Sequence, residues 1–334
     1  MAKKVDVVVI GASAGGVEAL QAVVSRLPAG LPVALLVVLH MPRSAPSALA
    51  RILDRAGPPP AQAAVDGERL RRRRIYVAAV DHHLLVIDGR VRLSRGPTEN
   101  GHRPAVDPLF RSAARAYGPS VAGVVLSGSR DDGAAGLLAV KRADGTAIVQ
   151  DPADALHPSM PLAALERVAV DHVVPAAKIG DLLAELVGTE VDDDGPSPDT
   201  DLLDAEVAMA NRAPLTTDET DAVPAGYGCP QCGGALYEID EAPVPRYRCR
   251  VGHAWSPDSL LDEQAIATES ALWMALRALE EKSSLGRRMA ASGAERYRVV
   301  ADDAEHAAQL IRDLIARIGD AAAASAEAGR RAVA

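Results

Sequence analysis

Aromatic side chains are scarce: they make up 3% of 334 residues, with one Phe, two Trp and six Tyr. A core must therefore be built from Val, Leu, Ile and Ala. Cysteine occurs only at 229, 232 and 249, which excludes the distributed disulfide framework of a small secreted domain. No apolar run approaches the roughly 18 residues that a membrane-spanning helix requires; the longest, Leu31–Leu39, has strand length. The start, Met1-Ala2-Lys3-Lys4, passes through Asp6 into a glycine loop without a signal-peptide cleavage pattern. These absences lead us to expect a cytoplasmic chain with no direct membrane insertion. Acidity is also missing from most of the sequence. The net charge is −9, yet the window Glu190 to Asp221 holds eleven acidic residues against one basic, Arg212. The charge belongs to that window and says little about partners of the folded parts.

What is present, in the first half, is alternation of strand and helix signals. Val5–Ile10 is a short apolar run that enters Gly11-Ala12-Ser13-Ala14-Gly15-Gly16, after which Val17, Leu20, Val24 and Leu27 share one helical face. Val33–Leu39 is continuous and apolar, as a strand covered on both faces should be. A helix is expected over Ser47–Ala56, a strand over Ile75–Ala79, and a hairpin at Asp88-Gly89 between His83–Ile87 and Val91–Leu93. Asp107-Pro108 reads as an N-cap and first helical residue, with Gly118 ending that helix. Val121–Leu126, Thr146–Val149 and Val170–Val174 supply further strands, and a helix is expected from Gly133 to Ala143. This order implies an α/β fold: a doubly wound, mainly parallel, Rossmann-like three-layer sheet.

Three candidate catalytic residues leave three different strands at the carboxyl edge, where the chemistry of such sheets collects. Gly11-Ala12-Ser13-Ala14-Gly15 fits the G-x-S-x-G nucleophile elbow between a strand and a helix. A dinucleotide loop or an inert tight turn would use similar glycines, but the second strand ends in His40 rather than the acid that holds a ribose. Imidazole titrates near working pH and is the right base. Asp132, in Ser127-Gly128-Ser129-Arg130-Asp131-Asp132-Gly133, could fix the histidine tautomer, with Asp131 as its competitor or else a helix cap or solvated charge.

A second constellation is Cys229-x2-Cys232 followed by Cys249-x3-His253. Four thiolate or imidazole donors in two close pairs suit tetrahedral zinc, and a closed set suits a structural rather than a catalytic ion. The expectation is one structural zinc per chain and no cofactor for catalysis; three buried structural cysteines are the alternative. The arginines from Arg69 to Arg74 form a short run without interleaved aromatics, read as a solvated edge and not as a nucleic-acid site.

The segments IGASAGGVEAL, VVLHMP, IYVAAVDHHLLV, HRPAVDPLFRSAA, VVLSGSRDDGAAGL and SMPLAAL, in this order over residues 4–187, closely resemble the catalytic domain of CheB-type protein-glutamate methylesterases. The resemblance implies Ser13 as nucleophile, His40 as base and Asp132 as orienting carboxylate. It implies hydrolysis of glutamate methyl esters, with glutamine deamidation in some members, on a methylated receptor or signalling protein served by a companion methyltransferase. It also places His83, Arg103 and Met160 in segments that line the family's cleft. Two departures stand out. Chemotaxis members carry an N-terminal phospho-receiver, so a different switch is expected here, and Ser127-Gly128-Ser129 stands where they resemble Thr-Gly-Met. The alternative function is a signalling scaffold with a vestigial esterase domain.

The expected layout is a catalytic domain over 1–187, an acidic linker over 188–225, a zinc module over 226–256, a helical hairpin over 257–319 and an Ala-rich tail over 320–334 that frays. The linker is read as a flexible tether that leaves the zinc module independent of catalysis. Ser256 should cap the first helix, with Leu272, Leu276 and Leu279 as its buried stripe. Leu310, Ile311, Leu314, Ile315 and Ile318 should form the stripe of the second.

Overall fold

A computed structural model describes residues 3–44, 46–187, 190–191, 200–211, 223–239 and 245–333. They form two compact units, Met1–Leu260 and Leu261–Ala334. In chain order the first unit starts with β1 (Lys3–Lys4), β2 (Val7–Ala12), α1 (Gly16–Val24), β3 (Ala34–Leu39), α2 (Leu49–Ala56), β4 (Ala61–Ala63) and β5 (Arg74–Val77). The hairpin β6 (His83–Ile87) and β7 (Arg90–Ser94) follows, then α3 (Val106–Tyr117), β8 (Val121–Val125), α4 (Ala134–Arg142) and β9 (Thr146–Gln150). Next come α5 (Ser159–Arg167), β10 (His172–Val174), α6 (Ala176–Leu186) and β11 (Glu190–Val191), which pairs with β1.

The central sheet has seven strands in the order β10-β9-β8-β2-β3-β5-β4, and every pairing is parallel. Alternation along each strand divides its side chains between two cores. Val7 and Val9 of β2, with Leu36 and Val38 of β3, meet α3, α4, α5 and the hairpin on one face. Val8 and Ile10, with Leu35 and Val37, meet α1, α2 and α6 on the other. This is the doubly wound fold that the apolar runs imply, covered on both faces as parallel sheets require. The chain leaves β2 for β3 on one side and reaches β8 on the other. The crevice at the carboxyl ends of β2, β3 and β8 is therefore the topological switch point.

Asp88 (φ 50°) and Gly89 (φ 68°) make the expected tight hairpin turn, pairing Ile87 with Arg90. Asp107 differs from expectation. It lies inside the first turn of α3, whose N-cap is Ala105, and its carboxylate accepts from Gly133 N and Gly136 N at 2.9 and 2.6 Å. Asp107 thus caps α4, a helix 26 residues onward, because β8 brings that N-terminus back beside α3.

The window read as an acidic tether contains a short helix, α7 (Thr200–Ala210). It is docked: Leu203 and Val207 enter the core beside α3, and Glu206 is 2% exposed. After it a four-stranded antiparallel sheet is built from β12 (Pro224–Gly228), β13 (Ala235–Ile239), β14 (Arg246–Cys249) and β15 (Ala254–Trp255). Ser256 Oγ then accepts from Ser259 N at 3.1 Å and caps α8 (Pro257–Ala291), as Ser256-Pro257 predicts.

The second unit pairs the body of α8 with α9 (Arg296–Val333) across a turn at Gly293, φ 100°. Leu276 is buried as expected, but in α9 the buried stripe is Ala301, Ala304 and Ala308, while Leu310 and Leu314 are exposed. Gly286 explains the choice: a Cβ there would sit 3.0 Å from that of Ala301, so the two helices approach on small residues. Arg312–Glu280 and Arg287–Glu305 pairs flank the seam. The Ala-rich end is helical to Val333 rather than frayed, consistent with alanine's high helix propensity. Among the described residues, no helix is long and apolar enough to cross a membrane.

Candidate active site

The three strand ends meet through backbone hydrogen bonds. Register pairs β2 and β3 up to Ala12–Leu39, and His40 N continues the ladder to Ala12 O at 3.1 Å. Ser13 and His40 are therefore the next pair of residues on adjacent strands, about 4.8 Å apart in the sheet direction. On the other side, Ser13 N donates to Ser127 O at 2.9 Å, tying the loop after β8 to the serine. Gly15 turns the chain into α1 at φ 70°, which a residue with Cβ adopts only under strain.

His40 Nε2 lies 2.7 Å from Asp132 Oδ2, with the two side chains 5% and 1% exposed. The same carboxylate accepts Val106 N at 2.7 Å, Asp107 N at 3.3 Å and Asn100 Nδ2 at 3.2 Å. Burial alone would raise the Asp132 pKa, but the hydrogen bond from His40, the His40 charge and the Val106 N–H together hold it well below the usual carboxylate range. Its neighbour Asp107 moves the other way, raised by burial and then by the Asp132 charge. His102 stacks on His40 with ring centroids 3.7 Å apart and planes 11° from parallel. Burial, then the adjacent His40, lowers the His102 pKa to about 3, so this ring is neutral at working pH.

With Nε2 committed to Asp132, Nδ1 is the nitrogen of His40 left for proton transfer; it is buried and has no partner among the described residues. Strand register puts Ser13 beside His40, but no hydrogen bond joins the serine hydroxyl to the ring in this arrangement.

Gly128 closes the other side. A Cβ on it would lie 2.0 Å from Met160 Sδ and 2.8 Å from Ser13 Cβ, so Met160 and Ser13 pack directly over its bare backbone. Met160 is thus part of the wall beside the serine, fully buried. In the 127–129 loop, Ser127 N donates to Gln150 Oε1 at 2.8 Å and Gly128 N to His157 O at 2.9 Å.

The other two cleft candidates are placed differently. His83 has no exposed surface; its Nε2 lies 2.8 Å from Pro97 O and its Nδ1 accepts Ala105 N at 3.3 Å. Both nitrogens are in use within the fold, where His83 anchors the 97–105 loop. Burial lowers its pKa, keeping it neutral in that role. Arg103 holds Asp81 through Nε and Nη2 at 2.9 and 2.8 Å and Gly96 O through Nη1 at 2.8 Å, with its side chain 18% exposed. Asn100, which bonds Asp132, carried only a turn signal in the sequence, Asn100-Gly101, while His102, which stacks on His40, opens the segment HRPAVDPLFRSAA but was given no role of its own.

A family model described as CheB methylesterase matches residues 8–183. The chain belongs to the CheB methylesterase family. It is 40% identical over 183 residues to the protein-glutamate methylesterase/protein-glutamine glutaminase 1 of Xanthomonas euvesicatoria pv. vesicatoria (strain 85-10), covering 54% of this chain and 51% of that one. The protein-glutamate methylesterase/protein-glutamine glutaminase 2 of Anaeromyxobacter dehalogenans (strain 2CP-C) is 42% identical over 185 residues, covering 55% and 54%. The chain therefore spans about half the length of the curated relatives it matches. The crystal structure of the Thermotoga maritima CheB methylesterase catalytic domain aligns with TM-score 0.53 and 35% identity, covering 56% of this chain and all of that one.

Beyond the CheB match lies the second constellation. The donor atoms of Cys229, Cys232, Cys249 and His253 all fall within 4.8 Å of one another. Cys232 Sγ is 3.6 Å from Cys249 Sγ, and His253 Nδ1 is 3.5 Å from Cys249 Sγ and 3.7 Å from Cys229 Sγ. A tetrahedron with Zn–S near 2.3 Å has edges of about 3.8 Å, which these separations match. Burial opposes ionisation of Cys229, yet polar groups around its sulfur, among them the Cys232 and Gln231 N–H groups, lower its pKa.

This sheet is not independent of the CheB domain. Ala254 N donates to Thr98 O at 3.2 Å and Asn100 N to Ala254 O at 2.8 Å, so residues 98–100 run parallel beside β15. Glu99 is paired with Arg111 and Arg248, and Glu206 with Arg111, Arg246 and Arg248, all buried. Asp131 is neither a helix cap nor a solvated charge: it is 3% exposed and held by Arg167, Ser256 and Ser259.

Proposed function

We propose that this chain hydrolyses the γ-methyl ester of glutamate side chains in a protein, and deamidates glutamine in the same site. The observation that carries the reading is the 2.7 Å His40–Asp132 pair beside Ser13 at the switch point of a CheB-family sheet. Ser13 Oγ attacks the γ-carbonyl and passes its proton to His40 Nδ1, while Asp132 stabilises the imidazolium. The amino end of α1, which begins directly after the serine loop, favours the negative charge that develops on the carbonyl oxygen. Methanol, or ammonia from glutamine, leaves with that proton. His40 then deprotonates water, which cleaves the acyl-enzyme and frees Ser13 and a glutamate carboxylate.

The substrate is a methylated receptor or signalling protein, and its methyl groups require a companion methyltransferase. The site works in the cytoplasm without nucleic acid, membrane insertion or a catalytic cofactor. Cys229, Cys232, Cys249 and His253 hold one structural zinc; their closed donor set leaves no position for substrate.

The test is methanol release from a peptide bearing a glutamate γ-methyl ester, comparing wild type with Ser13→Ala. Loss of roughly 10⁴-fold or more is expected for a triad nucleophile. A Ser13→Ala rate within tenfold of wild type would overturn the assignment. Metal analysis of the same preparation should give one zinc per chain.

A further inference from the structure

Asn100 joins the two halves of the first unit at the triad itself. Its Nδ2 donates to Asp132 Oδ1 at 3.2 Å and to Asp107 Oδ2 at 3.3 Å, while its Oδ1 accepts Ser256 N at 2.9 Å. The amide therefore touches the triad carboxylate with one end and the start of α8 with the other. It is 5% exposed and adopts φ 51°, a left-handed conformation that Asn tolerates better than most residues.

The contacts that reach Asn100 from beyond the CheB domain come from the end of the Cys–His sheet and the residue that follows it. Asn100 N bonds to Ala254 O, and Ala254 directly follows His253. Ser256, three residues after His253, supplies the N–H to Asn100 and a hydroxyl to Asp131 at 2.8 Å. Thr98 is hydrogen-bonded to Gln231, which lies between Cys229 and Cys232. Both ends of the 98–100 segment are thus held by residues one to three positions from Cys229, Cys232 or His253.

We propose that Asn100 is a positioning residue for Asp132 and that the metal-loaded Cys–His sheet holds Asn100, so that loss of metal slows hydrolysis at Ser13. The inference rests on the esterase reading above and adds its regulation: the ion sets the triad's geometry without touching substrate. Without its ion, the sheet keeps the Arg246 and Arg248 pairs and the Ser256–Asp131 bond, but it has few buried apolar residues of its own and loses the tie through His253 and Cys232 that sets Ala254 and Gln231 against residues 98–100. Asn100 then loses the Ser256 N–H that its Oδ1 accepts and the Ala254 carbonyl that its own N–H bonds, and Asp132 loses one of the donors that orient it.

The experiment uses the full-length zinc-loaded protein, the chelated protein and Asn100→Gly, which keeps the left-handed backbone and removes only the amide. Two readouts are taken: turnover of 4-nitrophenyl acetate, and the downfield NMR resonance of the His40 ring N–H bonded to Asp132. Chelation and Asn100→Gly should each lower kcat roughly 10- to 100-fold, the worth of one hydrogen bond to a charged group. KM should stay within threefold, and the ring resonance should broaden or shift in both. Chelating Asn100→Gly should add little, because both changes break one chain of contacts. Wild-type kcat and an unchanged resonance in the zinc-loaded Asn100→Gly protein would overturn the proposal, as would a chelated protein with both intact. Strictly additive losses would also overturn it. Should wild type hydrolyse no ester, the esterase reading falls, and the ring resonance alone decides the positioning claim.

Discussion

Asp131 and Asp132 are adjacent in the chain, yet their carboxylates serve different structures. Asp132 meets His40 at 2.7 Å, while Asp131 takes Arg167 at 2.6 Å and the hydroxyls of Ser256 and Ser259 at 2.8 and 2.9 Å. Substituting them should therefore separate catalysis from assembly. Asp132→Asn leaves the histidine without an anionic partner and should lower kcat by about 10⁴-fold. Asp131→Asn should cost about 1–3 kcal/mol of stability through its charged hydrogen bonds, with a much smaller fall in kcat. Thermal unfolding and ester turnover of both variants check this, and the reverse ranking would mean that the wrong aspartate has been placed in the triad.

His102 covers one face of the His40 ring and stays neutral, with its pKa near 3. Its contribution to orienting His40 is packing, so size and flatness should matter more than its nitrogens. His102→Phe is expected within threefold of wild-type kcat. His102→Ala should lose about 2- to 10-fold, the range set by 0.5–1.5 kcal/mol for a stacked pair. Equal loss in both variants would point to a hydrogen-bonding role instead.

At Gly128 a Cβ would fall 2.0 Å from Met160 Sδ and 2.8 Å from Ser13 Cβ. Both neighbours must move to admit alanine. Gly128→Ala should destabilise by about 1–3 kcal/mol as an overpacked site and reduce kcat, because the serine is displaced. Gly128→Ala combined with Met160→Ala should recover part of the stability but not the rate, since Ser13 remains crowded. Full recovery of rate would show that Ser13 position is set elsewhere.

The sequence discloses the strand ends and conceals what surrounds them. Ser13, His40 and Asp132 each follow a run such as Val33–Leu39, and a parallel sheet carries all such run ends to one edge. The support for those residues is long-range and leaves no local pattern. Glu206 meets Arg111 and Arg248 from 95 and 42 residues away, and an acidic window reads the same whether it is solvated or paired. Asp107-Pro108 looked like a cap for its own helix because capping is usually local, whereas here the fold supplies the partner helix. In α9 the leucines suggested the buried stripe, but a close approach at Gly286 selects alanines, which hydrophobicity alone ranks lower.

The buried ion cluster sets a distinct acid limit for the contact between the CheB domain and the segments beyond it. Glu206 faces Arg111 from α3 and Arg246 and Arg248 from β14, with Glu99 alongside, and Asp107 is the further carboxyl near Arg111. Burial would raise both glutamates, but the arginines win, and both folded pKa values lie below the ordinary 4.5. The folded state thus binds fewer protons than the unfolded chain. The stability it gains is fully present above about pH 4.5 and is lost as pH falls from there toward the folded values. Asp107 has the opposite sign and caps α4 rather than α7, so its protonation does not hold α7 in place. Amide exchange in α7 reads the cluster directly, because that helix carries no metal donor. Its protection should fall on acidification below pH 4.5 while that of β2 and β8 persists. Glu206→Gln should weaken α7 protection already at pH 7 and flatten its pH dependence. Wild-type α7 protection unchanged from pH 7 to 3 would show that its apolar contacts through Leu203 and Val207 suffice without the ion pairs.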